Sequence, residues 1–390
     1  MSNECELYVQ LRSQPEILEA VAQSSPNERT SQKKLRERFP ERLVIAAIQI
    51  QEARERARSR FPFAEQLWFN RIGLEQATAW EVAKHKARRF SDCAVISDIC
   101  CGIGSDASAL SRHAEVQALD HSALMLCCTR WNAQVLGSSQ NIFTKETDVT
   151  THSWKQLFVH ADPDRRSGRE RPVRRLEDYQ PGLDWMKHLI KTARGGALKV
   201  GPASNFVDKF PGCEIELMSL AGECREATIW FGELATHHRA RATNISTGET
   251  FAADPIDHGV MLRNTVEQYL CDPDPGIVRS GLLMALAMQH DMHRLDAEEE
   301  YLTSSHIPNT TLVSVFRVEE VLSSSIKALR QLFLKRSPQS YELKCRRMKV
   351  DIEGIRKQLP VGEEPPVTII FCRMGHRRRA IICRRVVCAS

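Results

Sequence analysis

The sequence lacks any long hydrophobic run, although 42% of its 390 residues are hydrophobic. No segment approaches the ~18 consecutive apolar residues that a membrane-spanning helix requires. The first residues, Met1–Cys5, carry neither a basic start nor the apolar stretch that a signal peptide needs. We therefore expect a protein without membrane segments that is located in the cytoplasm.

Closely spaced cysteines are also lacking. The chain has 13 cysteines, none of them in a Cys-x-x-Cys pattern, and two pairs are directly adjacent, Cys100-Cys101 and Cys127-Cys128. Adjacent cysteines do not readily form an ordinary disulfide with each other, and zinc requires a tighter cluster of ligands. We expect reduced thiols that act as small buried apolar residues, and no metal site.

Acidic residues are scarce at the C-terminal end. Residues 327–390 contain 16 Lys and Arg but 5 Asp and Glu, a net charge of +11, whereas the whole chain carries +5. A basic segment on a mildly acidic body favours a polyanionic partner. Phe371 is the one aromatic residue near the arginine clusters, so we expect contacts to the phosphates and shape of structured RNA rather than base stacking.

One stretch near residue 100 predicts a strand, a tight glycine turn and the start of a helix. The apolar strand contains Asp98, Gly102 and Gly104 follow it, and Ala107–Leu110 begins the helix. Glycine has no Cβ and tolerates positive φ, so a ligand can approach the backbone of such a turn. The N–H groups at the helix start are free to bind that ligand. The stretch is therefore interpreted as a nucleotide-type binding loop.

From Ala94 onward, short apolar strands alternate with helices, which is typical of a parallel α/β sheet. Aspartates lie at or near the ends of four successive predicted strands: Asp98, Asp120, Asp148 and Asp162. Because parallel strands end at the same edge of a sheet, these carboxylates should line one ligand-binding edge.

The glycine pattern alone does not identify the ligand. The sequence from Gly102 to Ala107 satisfies the GxGxxA pattern of dinucleotide-binding folds. Asp98, however, lies where the strand leaves the sheet, and a carboxylate there can accept hydrogen bonds from a ligand ammonium. S-adenosylmethionine has an ammonium and NAD does not. Asp120 suits the ribose diol of either cofactor, Asp148 suits the adenine amino group, and Asp162 would lie beside the reacting methyl group.

At this point the chain, from about residue 40 to its end, resembles class I S-adenosylmethionine-dependent methyltransferases with a C-terminal THUMP-like domain. The motifs that carry the resemblance are Gly73–Thr78, Asp98–Asp106, Asp162–Arg169, Gly222–Ala227 and Asp272–Pro275. The family's THUMP domains are associated with tRNA and other structured RNA. The resemblance implies a Rossmann-like α/β methyltransferase sheet with an N-terminal helical region and a C-terminal α+β THUMP-like domain.

The expected domains are a helical region at 1–90, the cofactor-binding domain at 91–235, a connecting α+β region at 236–325 and the basic THUMP-like domain at 326–390. The connecting region is harder to interpret: Asp272–Gly276 predicts a turn, and Ile277–Gln289 predicts one helix.

By the resemblance, the cofactor is S-adenosyl-L-methionine, and two groups of residues are expected at the site. The cofactor-binding group is Thr78, Asp98, Cys100, Gly102, Gly104, Asp106, Asp120, His121 and Asp148. The catalytic group is Asp162, Pro163, Arg165 and Arg166.

The segment after the fourth strand departs from the pattern of methyltransferases that act on base amino groups. Those enzymes have Pro-aromatic where this chain has Asp164-Arg165. The change favours a polar or phosphate-bearing substrate near Arg165, Arg166 and Arg169, or a different target atom. For Arg165 and Arg166, a structural salt bridge to a neighbouring acid is an equal alternative.

Our leading hypothesis is a methyltransferase that acts on tRNA or rRNA by direct methyl transfer. The alternatives are a methyltransferase with a small-molecule or protein substrate and a non-catalytic RNA-binding protein. An NAD(P) oxidoreductase is disfavoured by Asp98.

Overall fold

The computed structural model describes residues 3–24, 29–166, 171–256, 259–375 and 377–386. The chain forms two compact units: residues 1–214 with 227–236, and residues 215–226 with 237–390. Within the described ranges, the helices are too short or too polar to cross a bilayer.

The first unit begins with helices that bury one face each. The longest of them, α4, places apolar residues such as Leu43, Ala47 and Ile50 at helical spacing, and all three are buried. They share one hydrophobic core with Ile96 and Val116 of the sheet that follows. The six helices are α1 (Asn3–Arg12), α2 (Pro15–Gln23), α3 (Arg29–Arg38), α4 (Glu41–Ala57), α5 (Arg71–Gln76) and α6 (Trp80–Ala87).

The centre of the first unit is a parallel sheet with helices between its strands. Its elements are β1 (Val95–Ile99), α7 (Ser105–Leu110), β2 (Glu115–Asp120), α8 (Ala123–Val135), β3 (Ile142–Glu146), β4 (Phe158–Ala161), α9 (Leu183–Thr192) and β5 (Gly195–Val200). The strand order is β3-β2-β1-β4-β5. The order reverses between β1 and β4, and open α/β sheets bind ligands beside the carboxyl ends of strands at such a point.

Two further strands follow, β6 (Glu214–Leu220) and β7 (Glu223–Gly232). Residues 227–232 of β7 pair antiparallel with β5. The predicted fold class, a Rossmann-like sheet behind a helical region, is confirmed.

The second unit contains β6 and a separate seven-stranded sheet. Its other elements are β8 (Ala240–Asn244), β9 (Glu249–Ala253), β10 (Tyr269–Pro273), α10 (Pro275–Arg279), α11 (Leu283–Gln289), β11 (His293–Arg294), β12 (Leu302–Ser304), β13 (Val313–Ser323), α12 (Ile326–Phe333), β14 (Tyr341–Cys345), α13 (Ile352–Gln358), β15 (Val367–Met374) and β16 (Arg377–Arg385). The seven strands are ordered β11-β12-β10-β13-β16-β15-β14. The α+β character predicted for the C-terminal end is confirmed.

Two predictions for the connecting region are wrong in detail. Asp272 and Pro273 end strand β10 rather than forming a turn, and Asp274 caps α10 by accepting a hydrogen bond from the Gly276 N–H at 2.7 Å. The single helix predicted at Ile277–Gln289 is two helices, because the chain turns at Gly281, which has φ +75°.

Candidate functional site

A cavity of about 790 Å³ lies at the carboxyl ends of the parallel strands in the first unit. Its walls are formed by the glycine loop after β1, by the segments after β2, β3 and β4, and by α5 with the residues that follow it. The predicted site residues on these walls are Thr78, Cys100, Gly102, Asp106, Asp120, His121, Asp148, Asp162, Pro163 and Arg165. The fold therefore brings together residues that are up to 87 positions apart in the sequence.

The loop after β1 has the backbone that its glycines predict. Gly102 has φ +54° and Gly104 has φ +81°, and Cys100 also adopts positive φ. A Cβ at Gly104 would lie 2.7 Å from Cγ2 and 3.0 Å from Cα of Thr129, whereas one at Gly102 would meet nothing within 4 Å. Gly104 is thus required for the packing of the loop on α8, and Gly102 leaves the backbone open to the cavity.

Asp120 fixes the glycine loop at the end of β2. Its Oδ2 accepts a hydrogen bond from the Gly102 N–H at 3.0 Å, and its Oδ1 accepts one from the Ser122 N–H at 2.9 Å. Burial raises the pKa of this carboxyl, and the two backbone donors partly offset that increase. The next residue, His121, is largely exposed, and its Nδ1 lies 3.5 Å from Asp120 Oδ1.

Asp98, which the sequence predicts as the contact of a ligand ammonium, lies behind the cavity wall in the structure. Asp98 is fully buried and is not part of the cavity wall. Its Oδ1 lies 2.7 Å from Nδ1 of His160, a residue of β4. Its Oδ2 has no hydrogen-bond partner among the described residues. Burial raises the pKa of Asp98, and the nearby His160 opposes that effect.

Asp106 connects this buried cluster to the cavity. Its Oδ1 lies 2.9 Å from Nζ of Lys86, and its Oδ2 accepts a hydrogen bond from the Thr78 hydroxyl at 2.6 Å. Burial alone would raise the pKa of Asp106, but the neighbouring Lys86 and His160 outweigh burial and hold it well below its ordinary value. The carboxylate of Asp106 is therefore ionised where it meets the cavity.

Asp148, after β3, lies on the exposed side of the cavity. Its Oδ1 accepts hydrogen bonds from the Thr150 N–H at 2.9 Å and from the Thr150 hydroxyl at 2.6 Å. These bonds lower the pKa of Asp148. The loop thus presents an ionised carboxylate beside the apolar side chain of Val149.

Asp162 follows β4 and forms an ion pair with a lysine of β5. Nζ of Lys199 lies 2.6 Å from Asp162 Oδ2 and donates a second hydrogen bond to the Gln76 carbonyl at 2.9 Å. Among the described residues, none donates a hydrogen bond to Asp162 Oδ1, which remains available to a ligand. The Lys199 side chain is 7% exposed, so its ammonium interacts with these two acceptors and little with water.

The residues after Pro163 contact Glu75 and Gln76 at the end of α5. Asp164 Oδ1 accepts hydrogen bonds from the Gln76 side chain at 2.5 Å and from the Arg166 N–H at 2.8 Å. Arg166 forms an ion pair with Glu75. Of the two alternatives for Arg166, the structure has the salt bridge, and this residue is not part of the cavity wall. Arg169 lies outside the described residues.

Arg165 differs from Arg166 in its surroundings. Its half-buried side chain lines the cavity, and its guanidinium forms no hydrogen bond or ion pair with any described residue. A Cβ at Gly201, just after β5, would lie 2.9 Å from Arg165 Nη1. Glycine at position 201 therefore makes room for a cation that faces the cavity without a protein partner.

Three residues of this arrangement were not among the predicted site residues: Lys86, His160 and Lys199. Lys86 and His160 are each 1% exposed. Lys199 lies within strand β5. A lysine on a helix and a histidine within a strand give no pattern of their own, and their pairing depends on how α6 packs against the sheet.

The cavity residues fit S-adenosylmethionine. Asp120 has the carboxylate that a ribose diol requires, Met125 and Val149 offer apolar surface, and Asp106 has the ionised carboxylate that an ammonium requires. When bound, this cofactor supplies an electrophilic methyl group.

Two family models match the chain. The model described as RNA cap guanine-N2 methyltransferase matches residues 93–165, which include the glycine loop and the Asp162 segment. The model described as THUMP domain-like matches residues 313–385.

Similar proteins include further methyltransferases. An uncharacterized S-adenosylmethionine-dependent methyltransferase, present in two strains of Mycobacterium tuberculosis, is 31% identical over 315 residues, which is 79% of this chain and 85% of the relative. The crystal structure of a candidate methyltransferase from Porphyromonas gingivalis W83 has a TM-score of 0.74 and 17% identity, and the match covers 90% of this chain and 92% of that one. At 17% identity, the similarity to this crystal structure shows a shared fold.

Fold, cavity and relatives together define an S-adenosylmethionine-dependent methyltransferase. More specifically, the chain belongs to the family of these enzymes that carries a C-terminal THUMP-like domain.

Proposed function

We propose that the protein methylates structured RNA, with tRNA or rRNA as the expected substrate. The observation that carries this proposal is the unpartnered guanidinium of Arg165 on the cavity wall, close in sequence to Asp162. A planar cation with several N–H donors suits a phosphate group. The names of the two matching family models, one an RNA methyltransferase and one a THUMP-like domain, support the same substrate class.

The basic end of the chain supplies a second reason. In the hairpin of β15 and β16, Arg378 lies directly opposite Arg373. Like charges in facing positions destabilise a sheet. Arg377, Arg378 and Arg379 form no ion pair with any described residue, whereas Arg384 and Arg385 are paired with Glu319 and Glu342. We infer that the three unpaired arginines contact RNA phosphates and that the two paired ones serve the fold.

In the proposed reaction, an RNA nucleophile forms a bond to the methyl carbon while the bond from that carbon to sulfur breaks. Asp162 Oδ1 is available to accept the proton that the nucleophile loses, and Lys199 keeps the carboxylate in place through Oδ2. Arg165 holds a neighbouring phosphate, so most of the acceleration comes from orientation.

The position after Pro163 carries Asp164, whose Oδ1 is occupied by Gln76 and by the Arg166 backbone. An aromatic residue that could stack on a base is absent from this position. We infer that the target nucleotide is held through its phosphate and the cavity shape rather than by stacking here.

Transfer of a radiolabelled methyl group from S-adenosylmethionine tests the proposal. Purified enzyme is incubated with total RNA, with RNA-free protein extract and with a small-molecule extract from a strain that lacks the gene. We expect label in the RNA, removed by ribonuclease and not by protease.

An Asp162→Asn variant with normal cofactor binding should label RNA at least about 100-fold more slowly, because general-base contributions are typically of that size. Label in protein or small molecules only would overturn the RNA proposal. Salt-sensitive RNA binding without any label would favour the non-catalytic alternative.

A further inference from the structure

A second cavity, of about 800 Å³, lies within the second unit, and the proposed methyl transfer makes no use of it. Its walls include the Asp272–Pro275 motif at the end of β10, residues 343–346 of β14, and Tyr301. Three strands separate β10 from β14 in the order of the sheet, yet Nζ of Lys344 lies 2.7 Å from Oδ2 of Asp272. The sheet therefore curves far enough for these two strands to face one cavity.

The cations on the wall of this cavity are already neutralised. Arg346 donates hydrogen bonds through Nε to Asp272 at 2.8 Å and through Nη1 to Glu300 at 3.1 Å, and Lys344 pairs with the same aspartate. No other Lys or Arg of the described ranges lines the cavity. A phosphate would have to compete with these carboxylates for both cations, so the cavity favours a ligand without net charge.

The hydroxyl group of Tyr301 is the observation that indicates a ligand. The residue is 1% exposed, yet its hydroxyl forms no hydrogen bond with any described residue. Protein atoms do not fully enclose this hydroxyl, so the contact that it keeps is with the cavity. Because buried hydroxyl groups in folded proteins nearly always have a partner, this one is available to a polar group of a bound molecule.

Two further polar side chains on the wall have hydrogen-bonding capacity to spare. Ser314 lies opposite Asp272 in the sheet, and its hydroxyl has no partner within the described ranges. Asp274 accepts a hydrogen bond at Oδ1 from the Gly276 N–H at 2.7 Å, and no described Lys or Arg forms an ion pair with it. Its carboxylate keeps a lone pair for an O–H group of a ligand.

We propose that this cavity binds a neutral nucleoside, whose ribose hydroxyls bond to Asp274, Tyr301 and Ser314. A nucleoside combines several hydroxyl groups with a flat ring and carries no charge. Pro273 and Leu312 on the wall offer apolar surface to that ring. The cofactor cavity of about 790 Å³ fits a nucleoside that carries an amino-acid chain, so a cavity of about 800 Å³ has room for a nucleoside.

Calorimetry on the whole chain tests the proposal, with the protein saturated with S-adenosylhomocysteine so that the cofactor cavity cannot take up the probe. Adenosine, guanosine, cytidine and uridine are titrated separately, followed by the 5′-monophosphate of the tightest binder. We expect a nucleoside to bind at one site with a Kd of about 0.1 mM, the affinity that ordinary ligand efficiency gives for roughly 20 non-hydrogen atoms. The monophosphate should bind no more tightly, because both cations of the wall are occupied.

Tyr301→Phe removes a hydroxyl that has no partner among the described residues, so its melting temperature should match that of the wild type. Its affinity for the nucleoside should fall about fivefold, a loss typical of one hydrogen bond. Ser314→Ala provides the same comparison if the phenylalanine variant is unstable. The matched control is Tyr341→Phe, because the Tyr341 hydroxyl donates to the Pro360 carbonyl outside this cavity. The control should keep the wild-type affinity.

Four results would overturn the proposal. Binding of none of the nucleosides would mean that the cavity holds water alone, and equal affinities of wild type, Tyr301→Phe and Ser314→Ala would place the nucleoside elsewhere. A monophosphate that binds at least about tenfold more tightly would indicate a phosphate site. A short single-stranded RNA that binds through Tyr301 while free nucleosides do not would assign the cavity to an RNA chain. None of these measurements depends on which substrate accepts the methyl group.

Discussion

Nζ of Lys199 lies 2.6 Å from Oδ2 of Asp162 and also donates a hydrogen bond to the carbonyl of Gln76. This single ammonium therefore connects β5, the segment after β4 and the end of α5. The carboxylate at the proposed reaction centre is held by an element that lies far from it in the sequence.

Replacing Lys199 should affect methyl transfer more than cofactor binding. In Lys199→Met, Asp162 loses its ion-pair partner, and we expect methyl transfer to fall about 100-fold, a loss typical of displaced catalytic groups. Methyl-transfer rates and calorimetric cofactor affinities separate the two effects. Lys187→Met, on the exposed face of α9, is the matched control and should behave as the wild type. A parallel loss of cofactor affinity in Lys199→Met would contradict this division of roles.

Gly104→Ala should destabilise the protein more than Gly137→Ala does. Both glycines have positive φ, which costs alanine about 1 kcal/mol. The Cβ at position 104 would also press on Thr129, adding roughly 1–3 kcal/mol, whereas position 137 is open. Urea unfolding of the two variants measures the difference. Equal free energies of unfolding for the two variants would show that the loop shifts to make room for the alanine side chain.

Arg165→Gln and Arg166→Gln should have different effects. The first variant removes the unpartnered cation in the cavity, so we expect the KM for RNA to rise about tenfold, the loss typical of one charged hydrogen bond, with unchanged cofactor affinity. The second variant breaks a partly exposed pair with Glu75, worth up to about 1 kcal/mol of stability. Steady-state kinetics and thermal melts distinguish the two. If the KM for RNA rose in Arg166→Gln and not in Arg165→Gln, the roles assigned to the two arginines would be wrong.

The salt dependence of RNA binding tests the basic hairpin. If Arg378 contacts a phosphate, Arg378→Ser should lower the slope of log K against log salt by about 0.7–0.9. Arg384→Ser loses an ion pair with Glu319 instead and should leave the slope unchanged. Filter binding across a salt series provides the slopes. The proposal for this hairpin fails if the two variants give the same slope as the wild type.

The buried carboxyl of Asp98 should make the free protein less stable at neutral pH. Its folded-state pKa is raised above the ordinary value of 3.8, so between these two values the folded state binds more protons than the unfolded state. The free energy of unfolding therefore falls as pH rises through that window. We expect Asp98→Asn to melt at a higher temperature than the wild type at pH 7 and to lose this advantage below about pH 4.

Asp148 should change the stability of the protein with pH in the opposite direction to Asp98. Hydrogen bonds from Thr150 lower its pKa, so its ionised form favours the fold and this contribution is lost in acid. Asp148→Asn should therefore melt slightly lower than the wild type at pH 7. Melting curves across pH for both variants test the pair, and a lower melting temperature for Asp98→Asn would contradict the sign derived above.

The sequence predicts the parallel sheet well because its strands contain short groups of apolar residues between polar segments. Val95–Ile99 and Gly195–Val200 contain such runs, and the glycines after β1 have the backbone that their spacing implies. Carboxylates at strand ends follow from the same reasoning, since a strand end fixes where the next side chain lies.

The sequence fails where contacts rather than periodicity determine the outcome. Asp98 has the right spacing for a ligand contact, but His160 of the neighbouring strand occupies its Oδ1, and the strand register that pairs them is not visible in the chain. The short strands β8 to β12 were also missed, because segments of two to five residues with mixed polarity give no clear alternation.

The contacts among Glu75, Gln76, Asp164, Arg166 and Lys199 have a consequence for protein engineering. Arg166 bonds to Glu75, Asp164 to Gln76, and Lys199 to both the Gln76 carbonyl and Asp162. Three sequence segments therefore form one interdependent module. A chimaera that takes the segment after β4 from a distant relative will keep its activity only when α5 and the end of β5 are transplanted with it.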